Sequence, residues 1–450
     1  MVQSFDLIVV GTGSAGSTAA NKCKKAGWSV AIIDSRPFGG TCALRGCDPK
    51  KVLVGAANIV EDTERMIGKG INQASSIQWH ELMSFKKEFT SWVPEKSDEA
   101  FQDAGMKTFH GKASFVSENE IQVENDILRG EKILLANGAT PTPLPIDGTE
   151  HLTYSDEFLD LEDLPEKIVF IGGGYISFEF AHIAARAGAK VDIIHRGEKP
   201  LKNFDSEQVG LLVDKSKEIG INVHLNTVVK SIKQREESYI VEGITNGENK
   251  QFDADIVVHG AGRIPAIDDL DLEKGNVKRE EKGITVNEYL QSVSNPIVYS
   301  AGDAVATAGP PLTPIAGVES SMVASNLLKG NHNKPNYKGV PTVVFTLPKL
   351  ASVGLSEDAA KEKGFQINVK SIDLSSWFTY KRTNQKYARS KVILDKDSNK
   401  ILGAHLISEE ADELINHFAT AIQLELTAKE LKKIILAYPT AASHLGSMME

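Results

Sequence analysis

The chain carries two copies of one strand–turn–helix–strand pattern, and each copy predicts a nucleotide-binding fold. The first copy reads FDLIVVGTGSAGSTAANKCKKAGWSVAIID, with Gly11, Gly13 and Gly16 at its turn. Glycines at this spacing let the chain turn tightly, let backbone N–H groups approach a pyrophosphate and let the helix pack on the strand. Asp34 closes the second strand, about 20 residues after the turn, where a carboxylate can accept hydrogen bonds from a ribose.

The second copy reads KIVFIGGGYISFEFAHIAARAGAKVDIIHRG, with small residues at the turn positions Gly172, Gly174 and Ser177. Its second strand ends in His195 and Arg196, where the first copy has Asp34. A carboxylate at this position accepts from a free ribose 2′-hydroxyl, whereas an arginine attracts a 2′-phosphate. The pair predicts NADPH in preference to NADH, with Lys202 as a second cation. The alternative is a solvated basic turn without a ligand.

Between the two copies lies GGTCALRGCDPKK, residues 39–51, which places Cys42 and Cys47 close together in the chain. Two such thiols can form a disulfide that accepts and donates an electron pair. A structural crosslink or half of a zinc site are the alternatives, but the chain has only three cysteines and no second ligand pair. We therefore predict no metal site. The third cysteine, Cys23, is predicted to be a small buried hydrophobic residue on the first helix.

The stretches after the cysteines predict two helices, KKVLVGAANIVEDTERMI and HELMSFKKEFTSWVPEKSDEAFQDAG. The cysteine pair would then lie near a helix N-terminus, which lowers the pKa of a thiol and favours the reactive thiolate. Asp48 follows Cys47 and would oppose thiolate formation if its carboxylate lay close.

Length and charge narrow the class of protein. A chain of 450 residues predicts two to four domains. The net charge of −10 argues against nucleic acid or an anionic membrane as a partner. A strand predicted within a few residues of the start argues against a signal peptide. The sequence has no stretch of about 18 apolar residues, so we predict no membrane span. The scarcity of cysteine favours a cytoplasmic location.

These motifs resemble those of the FAD-dependent pyridine nucleotide-disulfide oxidoreductases, the family of glutathione reductase, dihydrolipoamide dehydrogenase and mercuric reductase. The resemblance covers nearly the whole chain and includes ILLANGATP and IVYSAGDAVA. It implies an α/β fold with two Rossmann-like domains, for FAD and NADPH, and a C-terminal α+β dimerisation domain in a homodimer. The implied boundaries are 1–143 and 266–338 for the FAD-binding domain, 144–265 for the NAD(P)H-binding domain and 339–450 for the dimerisation domain.

The resemblance also implies the site residues. FAD would be bound by Gly11, Gly13, Ser14, Gly16, Asp34, Gly40, Thr41, Lys51, Gly138 and Asp303. NADPH would be bound by Gly172, Gly174, Tyr175, His195, Arg196, Lys202 and Arg263. In the family the cysteine matched by Cys47 contacts the flavin, and the one matched by Cys42 exchanges with the substrate. Glu179 would pair with Lys50 near the flavin, and Tyr175 would be the lid that moves aside for the nicotinamide.

The chain departs from glutathione reductase at three places. The family's catalytic His-Glu dyad, which comes from the partner subunit, is missing: Tyr438 replaces the histidine, and His444 lies one residue beyond the glutamate position. A phenol titrates near pH ~10 and is a poor base, although it can donate a hydrogen bond to a thiolate or contact a metal or quinone. Asn21 and Ser321 stand where arginines bind the carboxylates of glutathione, so glutathione is not the expected acceptor.

Together these features predict that electrons pass from NADPH through FAD to the Cys42–Cys47 disulfide and then to an unidentified, non-glutathione small-molecule acceptor. One alternative is an NADPH-dependent reductase of metal ions, quinones or oxygen, or a transhydrogenase; the tyrosine near the C-terminus favours transhydrogenase and the intact cysteine pair disfavours it. Another is a non-catalytic flavin redox sensor.

Overall fold

The computed structural model describes residues 2–450, which form two compact units. Unit 1 combines the chain up to Lys51 with Ser84–Pro143 and Gly262–Tyr337, and unit 2 comprises Val52–Met83, Leu144–Ala261 and Lys338–Glu450. The contacts do not divide unit 2 further. The three domain boundaries expected from the sequence therefore stay a prediction.

The α-helices of the described residues are α1 (Ser14–Lys25), α2 (Gly40–Arg45), α3 (Cys47–Arg65), α4 (Trp79–Thr90), α5 (Val93–Asp103), α6 (Ser155–Phe158), α7 (Tyr175–Arg186), α8 (Ser206–Glu218), α9 (Thr313–Lys329), α10 (Glu357–Glu362), α11 (Phe378–Lys381), α12 (Ala411–Gln423) and α13 (Ala428–Leu431). Short 3₁₀ helices cover Thr149–His151, Asp268–Leu270, Gly302–Ala304, Ala442–His444 and Ser447–Met449.

The β-strands of the described residues are β1 (Val2–Val10), β2 (Val30–Asp34), β3 (Lys107–His110), β4 (Ala113–Ser117), β5 (Glu120–Val123), β6 (Asp126–Leu135), β7 (Ala139–Pro141), β8 (Leu152–Thr153), β9 (Lys167–Ile171), β10 (Lys190–Ile194), β11 (Ile221–His224), β12 (Thr227–Arg235), β13 (Ser238–Thr245), β14 (Glu248–Ala254), β15 (Ile256–His259), β16 (Arg263–Pro265), β17 (Arg279–Glu280), β18 (Gly283–Thr285), β19 (Val298–Ser300), β20 (Val305–Ala306), β21 (Thr342–Val344), β22 (Lys349–Gly354), β23 (Ile367–Asp373), β24 (Arg389–Asp395) and β25 (Ile401–Ser408).

Unit 1 is built on a sheet with the strand order β3-β2-β1-β6-β5-β4, to which β19 adds by pairing with β6. The central strand β1 pairs in parallel with β2 and β6. Its residues alternate between two cores: Leu7 and Val9 pack with α1 and α9, while Ile8 and Val10 pack on the opposite face. Both faces of the sheet are therefore buried at β1, as expected for parallel strands with two apolar faces.

Unit 2 contains a parallel sheet with the order β11-β10-β9-β15-β8, an antiparallel sheet β12-β13-β14, and an antiparallel sheet β21-β22-β25-β24-β23. The apolar face of α12 covers this last sheet with Leu414, Ile415 and Phe418. Glycine turns between the first strand and helix occur in both units, so the α/β class is confirmed.

One predicted helix is wrong in its extent. The stretch HELMSFKKEFTSWVPEKSDEAFQDAG forms two helices, α4 and α5, which are interrupted at residues 91–92. Pro94 lies in the first turn of α5, where its missing N–H costs nothing, so the proline begins a new helix and does not continue the old one. Cys23 is fully buried, as predicted. Among residues 2–450, no helix has both the length and the apolar character that a bilayer crossing requires.

Candidate functional site

The first glycine turn, in unit 1, has no room for a side chain at Gly11 or Gly16. Gly11 has a φ of +107°, and a Cβ atom on it would lie 2.3 Å from the carbonyl oxygen of Ala136. A Cβ on Gly16 would lie 1.8 Å from the carbonyl oxygen of Gly11. The backbone N–H of Gly11 donates to the carbonyl of Ile33 at 2.7 Å, which fixes the end of β1 beside β2. Ser14 is the first residue of α1, so the N-terminus of this helix lies at the turn.

Asp34 is fixed by a threonine that the sequence did not single out. Its Oδ2 accepts from the backbone N–H of Thr12 at 2.8 Å and from the Thr12 hydroxyl at 2.6 Å, and its Oδ1 accepts from the N–H of Arg36. Thr12 Oγ1 also accepts from the N–H of Gly39 at 3.2 Å. The only sequence signal was a hydroxyl residue between two turn glycines. The carboxylate is thus oriented by the protein, and its contact with a ribose stays a prediction.

The residues predicted for FAD are collected in unit 1. Gly40 packs so closely against the turn that a Cβ atom on it would lie 2.3 Å from the Cα of Gly13. The other residues predicted on this segment and near β6 are placed as follows: Thr41 in α2, Lys51 in α3 and Gly138 between β6 and β7.

Two acceptor groups in unit 1 fit a ligand that donates hydrogen bonds. The Oδ1 of Asn137 is buried and has no hydrogen-bond partner among residues 2–450. Asp303 lies in the 3₁₀ turn Gly302–Ala304, where burial raises the pKa of its carboxyl against the opposing charge of Arg263. FAD brings both a pyrophosphate and ribityl hydroxyls, so the glycine turn and these acceptors fit it. Arg263, predicted near NADPH, lies in unit 1 and donates to the carbonyl of Ala139.

The two cysteines are adjacent in unit 1 and are free thiols. Cys42 lies in α2 and Cys47 is the first residue of α3. A hydrogen bond from the Cys42 thiol is the largest cause that lowers the pKa of Cys47 to about 6, with the Thr313 hydroxyl and the Lys50 cation adding to it. The same hydrogen bond and burial raise the pKa of Cys42. Negative charge therefore resides on Cys47 and the proton on Cys42.

Thr313 is a site residue that sequence reasoning missed. Its Oγ1 lies 3.5 Å from Cys47 Sγ, within hydrogen-bonding distance for sulfur, although 266 residues separate the two in the chain. Asp48 acts in the predicted direction, since its charge raises the pKa of Cys47, but it is the weakest of the influences that act on this thiol. The carboxylate next to the pair is therefore outweighed.

Helix α9, which begins at Thr313, is held by a buried carboxylate. Glu319 is 1% exposed and accepts from the N–H of Gly302 at 2.7 Å, from the Thr307 hydroxyl at 3.1 Å and from the Tyr337 hydroxyl at 2.6 Å. Ser320 donates to the carbonyl of Ala15 in α1. The helix thus touches the Asp303 turn, the first glycine turn and Cys47, and it fixes these parts of unit 1 relative to one another.

The second glycine turn, in unit 2, repeats the backbone of the first. Gly172 has a φ of +117°, and a Cβ atom on it would lie 2.2 Å from the carbonyl oxygen of Gly260. Gly174 caps α7, in which the Tyr175 hydroxyl lies 2.7 Å from the Thr342 hydroxyl. Glu179 Oε1 accepts from the N–H of Phe345 at 2.7 Å. The predicted pairing of Glu179 with Lys50 joins residues of different units and stays a prediction.

After β10 the chain makes a turn with exposed cations. Arg196 and Lys202 are exposed, whereas His195 is half-buried. Burial is the largest cause that lowers the pKa of His195, and the charges of Arg196 and Lys202 act in the same direction. His195 Nε2 donates to the carbonyl of Lys199 at 3.0 Å, which places a proton on Nε2.

The residues that depart from glutathione reductase have separate surroundings. Asn21 donates to the carbonyl of Ser17 within α1. Ser321 lines an open cleft of about 570 Å³ whose other lining residues are Lys22, Pro314, Gly317, Val318, Met322, Ser325 and Asn333. Lys22 is the one cation in this lining.

The C-terminal segment of unit 2 offers one free side chain and one engaged side chain. Tyr438 is 77% exposed. His444 Nε2 lies 2.9 Å from the Thr379 hydroxyl, its ring packs against Trp377, and burial lowers its pKa. His444 is thus held within its own chain. No group of three or more His, Cys, Asp or Glu side chains in residues 2–450 is arranged to hold a metal ion.

Comparison with known proteins gives a family match over most of the chain. The model of the pyridine nucleotide-disulphide oxidoreductases matches residues 5–321, and that of their dimerisation domain matches residues 340–449. A glutathione reductase from Burkholderia cepacia is 32% identical over 446 residues, which cover 99% of this chain and 98% of the relative.

Two further relatives are informative. An uncharacterized 19.7 kDa protein in the mercuric resistance operon of Staphylococcus aureus is 61% identical over 180 residues, which are 40% of this chain and all of the relative. Among solved structures, the Cu(II) complex of the HOCl-induced flavoprotein disulfide reductase RclA from Escherichia coli superposes with a TM-score of 0.88 at 26% identity, over 99% of each chain.

Proposed function

This chain belongs to the pyridine nucleotide-disulphide oxidoreductase family, and from that premise we propose that it uses NADPH to reduce a small, non-glutathione acceptor through Cys42 and Cys47. It is a flavoprotein oxidoreductase that uses FAD and a pyridine nucleotide. The observation that carries the proposal is the pair of thiols in unit 1, in which Cys47 begins α3 and its Sγ lies 3.5 Å from the Thr313 hydroxyl; the pKa of Cys47 is lowered and that of Cys42 is raised. The FAD would be held by the first glycine turn, Asn137 and Asp303, and when bound it supplies two-electron transfer between the coenzyme and the sulfur pair.

The thiol pair can carry out disulfide exchange with its own base. The Cys47 thiolate accepts the Cys42 proton along their hydrogen bond, and the Cys42 sulfur then attacks a sulfur of the acceptor and displaces one thiolate. Once Cys47 is again a thiolate, its sulfur attacks Cys42, which closes the Cys42–Cys47 disulfide and releases the second thiol. The acceptor gains two electrons and two protons, one proton from Cys42 and one from solvent.

The coenzyme preference and the dimer belong to the same proposal. The exposed cations Arg196 and Lys202 support binding of a 2′-phosphate, and thus NADPH over NADH. The match of residues 340–449 to a dimerisation domain supports a homodimer. In such a dimer the exposed Tyr438 phenol is available to the partner's thiols as a hydrogen-bond donor. A cytoplasmic location stays a prediction from the scarcity of cysteine.

The acceptor is not expected to be glutathione disulfide. Ser321 and Asn21 are uncharged, and the cleft beside Ser321 has one cation, Lys22, in its lining. Carboxylate ligands would therefore lose charge-assisted hydrogen bonds worth ~1.5–3 kcal/mol each, or roughly tenfold or more in affinity.

Soft metal ions are a second candidate class of acceptor. The copper complex of the structural neighbour and the mercuric resistance operon of the shorter relative favour this class. A thiolate beside a thiol is a ligand pair suited to soft ions such as Cu(I) and Hg(II).

NADPH oxidation by the holoenzyme, followed with a panel of acceptors, tests both candidates. The panel contains glutathione disulfide, the uncharged hydroxyethyl disulfide, Cu(II) and Hg(II), each with wild type, Cys42→Ser and Cys47→Ser. We expect hydroxyethyl disulfide to exceed glutathione disulfide by roughly tenfold in kcat/KM. We also expect either substitution to lower disulfide turnover by roughly a thousandfold or more while FAD content is unchanged.

Two outcomes would contradict the proposal. Retained turnover in Cys42→Ser would mean that the acceptor takes electrons directly from the flavin. A preference for glutathione disulfide would refute the assignment of the acceptor class. Turnover with Cu(II) or Hg(II) but with neither disulfide would select the second candidate.

A further inference from the structure

The imidazole of His195 joins the two turns that line the second nucleotide-binding fold. It occupies the space left by two missing side chains: a Cβ atom on Gly173 would lie 2.8 Å from its Cγ and Nδ1, and a Cβ atom on Gly197 would lie 2.9 Å from its Nε2. Gly173 belongs to the glycine turn before α7, and Gly197 belongs to the turn after β10. The ring is therefore packed between these turns.

The Nε2 atom of His195 is hydrogen-bonded to the protein, and its Nδ1 atom lies beside Gly173. Nε2 donates to the carbonyl of Lys199 at 3.0 Å, three positions before Lys202. Nδ1 lies against the backbone of Gly173. The backbone of His195 is fixed too, since its N–H donates to the carbonyl of His224 at 2.8 Å and its carbonyl accepts from the N–H of Thr227 at 3.0 Å. The imidazole is placed to hold a backbone turn and not to present a proton to a ligand.

The turn that the imidazole holds is a strained one. Leu201 has a φ of +46°, a left-handed conformation that costs a residue with a side chain on the order of 1–3 kcal/mol. The N–H of Leu201 donates to the carbonyl of Gly173 at 2.8 Å, and the N–H of Asn226 donates to the carbonyl of Gly197 at 3.0 Å. These tethers and the His195 bond to Lys199 are what keep the turn in this conformation.

The same turn carries the cations predicted to bind the 2′-phosphate. Arg196 and Lys202 stand at its two ends and are exposed. Phosphate recognition by such side chains depends on where the backbone places them, because misplacement by about 1 Å weakens an interaction of this kind strongly.

We propose that His195 is a positioning residue for coenzyme selection: its ring packs between Gly173 and Gly197 and fixes the turn from which Arg196 and Lys202 reach the 2′-phosphate, without contacting the phosphate itself. The proposal rests on the preference for NADPH given under the proposed function. It is an alternative to the sequence prediction that His195 contacts the coenzyme directly.

The test compares binding of 2′,5′-ADP and 5′-AMP, which differ only in the 2′-phosphate, to the holoenzyme by calorimetry. The variants are His195→Ala, which removes the ring and its bond, and His195→Gln, whose Nε2 can still donate to the Lys199 carbonyl. We expect His195→Ala to lose about tenfold in affinity for 2′,5′-ADP, as loss of a positioned charge-assisted contact implies, and less than about twofold for 5′-AMP. His195→Gln should stay within about twofold of wild type for both ligands.

Other results overturn the proposal. Equal loss of 2′,5′-ADP binding in His195→Ala and His195→Gln would indicate a direct contact of the imidazole with the phosphate. Equal loss of both ligands in His195→Ala, or no loss of either, would show that the ring has no role in selection. The FAD content and melting temperature of each variant show whether it is folded. His195→Gln serves as the folded control for His195→Ala.

Ligand binding by the wild type distinguishes failure of the NADPH preference from failure of the proposed role of His195. If wild type binds 2′,5′-ADP no more tightly than 5′-AMP, the NADPH preference is refuted and the role of His195 falls with it. If wild type prefers 2′,5′-ADP and His195→Ala keeps that preference, the role of His195 alone is refuted.

Discussion

The two glycine turns share a backbone and differ in one matched pair of side chains. Gly11 and Gly172 have φ values of +107° and +117°, and in both cases a Cβ atom would meet a backbone carbonyl oxygen. The next residue and the end of the following strand differ together. Unit 1 has Thr12, whose hydroxyl donates to Asp34 at 2.6 Å, and unit 2 has Gly173, whose missing side chain makes room for the ring of His195.

Under the proposed assignment of FAD to the first turn and NADPH to the second, this difference would adapt one backbone to two nucleotides. A carboxylate held by a threonine presents negative charge and suits a ribose with free hydroxyls. The second turn has no carboxylate at this place, so no negative charge there opposes binding of a 2′-phosphate by Arg196. The segment that follows the second strand, here called the return segment, also bonds back to the glycine turn in both units. In unit 1 the N–H of Gly39 donates to the Thr12 hydroxyl, and the chain then continues to Cys42. In unit 2 the N–H of Leu201 donates to the carbonyl of Gly173, and the chain then continues to Lys202.

The largest expected effects come from Gly11→Ala and Gly172→Ala. Each adds a Cβ atom at a positive φ and within 2.3 Å of a carbonyl oxygen, at a cost of more than ~1–3 kcal/mol in backbone strain alone. We expect Gly11→Ala to lose FAD, measured as flavin absorbance per protein. We expect Gly172→Ala to keep FAD and to raise KM for NADPH about tenfold or more.

A glycine with open surroundings provides the control for this pair. Gly27 has a φ of +94° but a Cβ atom on it would meet nothing within 4 Å. Gly27→Ala shares the backbone strain of a positive φ but not the clash, so it should lower the melting temperature and yet keep both FAD and coenzyme binding. Loss of FAD in Gly172→Ala, or its retention in Gly11→Ala, would contradict the assignment of one cofactor to each turn.

The next effect concerns the cation that replaces the carboxylate. Arg196→Ala should raise KM for NADPH about tenfold or more, because charge-assisted hydrogen bonds contribute ~1.5–3 kcal/mol, and should change KM for NADH less than about twofold. Steady-state kinetics with both coenzymes provide the measurement. Arg235→Ala, at an exposed arginine at the end of β12, is the matched control and should change neither value. Equal effects of Arg196→Ala on the two coenzymes would refute the assignment.

A smaller effect is expected from the threonine of unit 1. Thr12→Val removes the hydroxyl bonds to Asp34 and Gly39 at a site that is 2% exposed, which should lower stability by about 1–2 kcal/mol. The holoenzyme should melt about 2–4 °C lower for each kcal/mol lost. Thr12→Ser keeps the hydroxyl and should melt close to wild type. If Thr12→Ser melts as low as Thr12→Val, the hydrogen bonds do not fix Asp34 and the comparison with Gly173 loses its basis.

The smallest expected effect concerns the pKa of Cys47 and its neighbour Thr313. The pKa of Cys47 is lowered to about 6, so its thiolate forms as the pH rises through that value. Thr313→Ala removes one donor to the thiolate and should shift the alkylation profile of reduced enzyme upward by about half a pH unit, or ~0.7 kcal/mol. Thr313→Ser should follow wild type. A profile that stays in place or moves to lower pH would remove Thr313 from the site.

Local patterns predicted much of this molecule. The glycine spacing located both turns, and the spacing from Gly11 to Asp34 located His195 by analogy. The helix that begins at Cys47 followed from apolar periodicity. These features depend on residues that are near in sequence, and such features are readable without a structure.

Contacts between distant residues were not predictable in this way. Thr313 lies beside Cys47 only because α9 packs against the N-terminal part of unit 1. Glu319, in the same helix, accepts a hydrogen bond from Gly302. The break between α4 and α5 was overlooked because the apolar pattern continues through it, although Pro94 was a signal. The packing of His195 was not predictable either, because the sequence does not show that Gly173 and Gly197 leave room for its ring.

The most direct test of the central claim follows the two sulfurs themselves. Oxidised holoenzyme is treated with one equivalent of NADPH in the absence of oxygen, alkylated, digested, and analysed by mass spectrometry for label at each cysteine. The account predicts that label appears at Cys42 and Cys47 only after NADPH is added, with Cys47 labelled first at a pH near 6–7, while the buried Cys23 is unchanged. Consumption of NADPH without new label at Cys42 and Cys47 would contradict it.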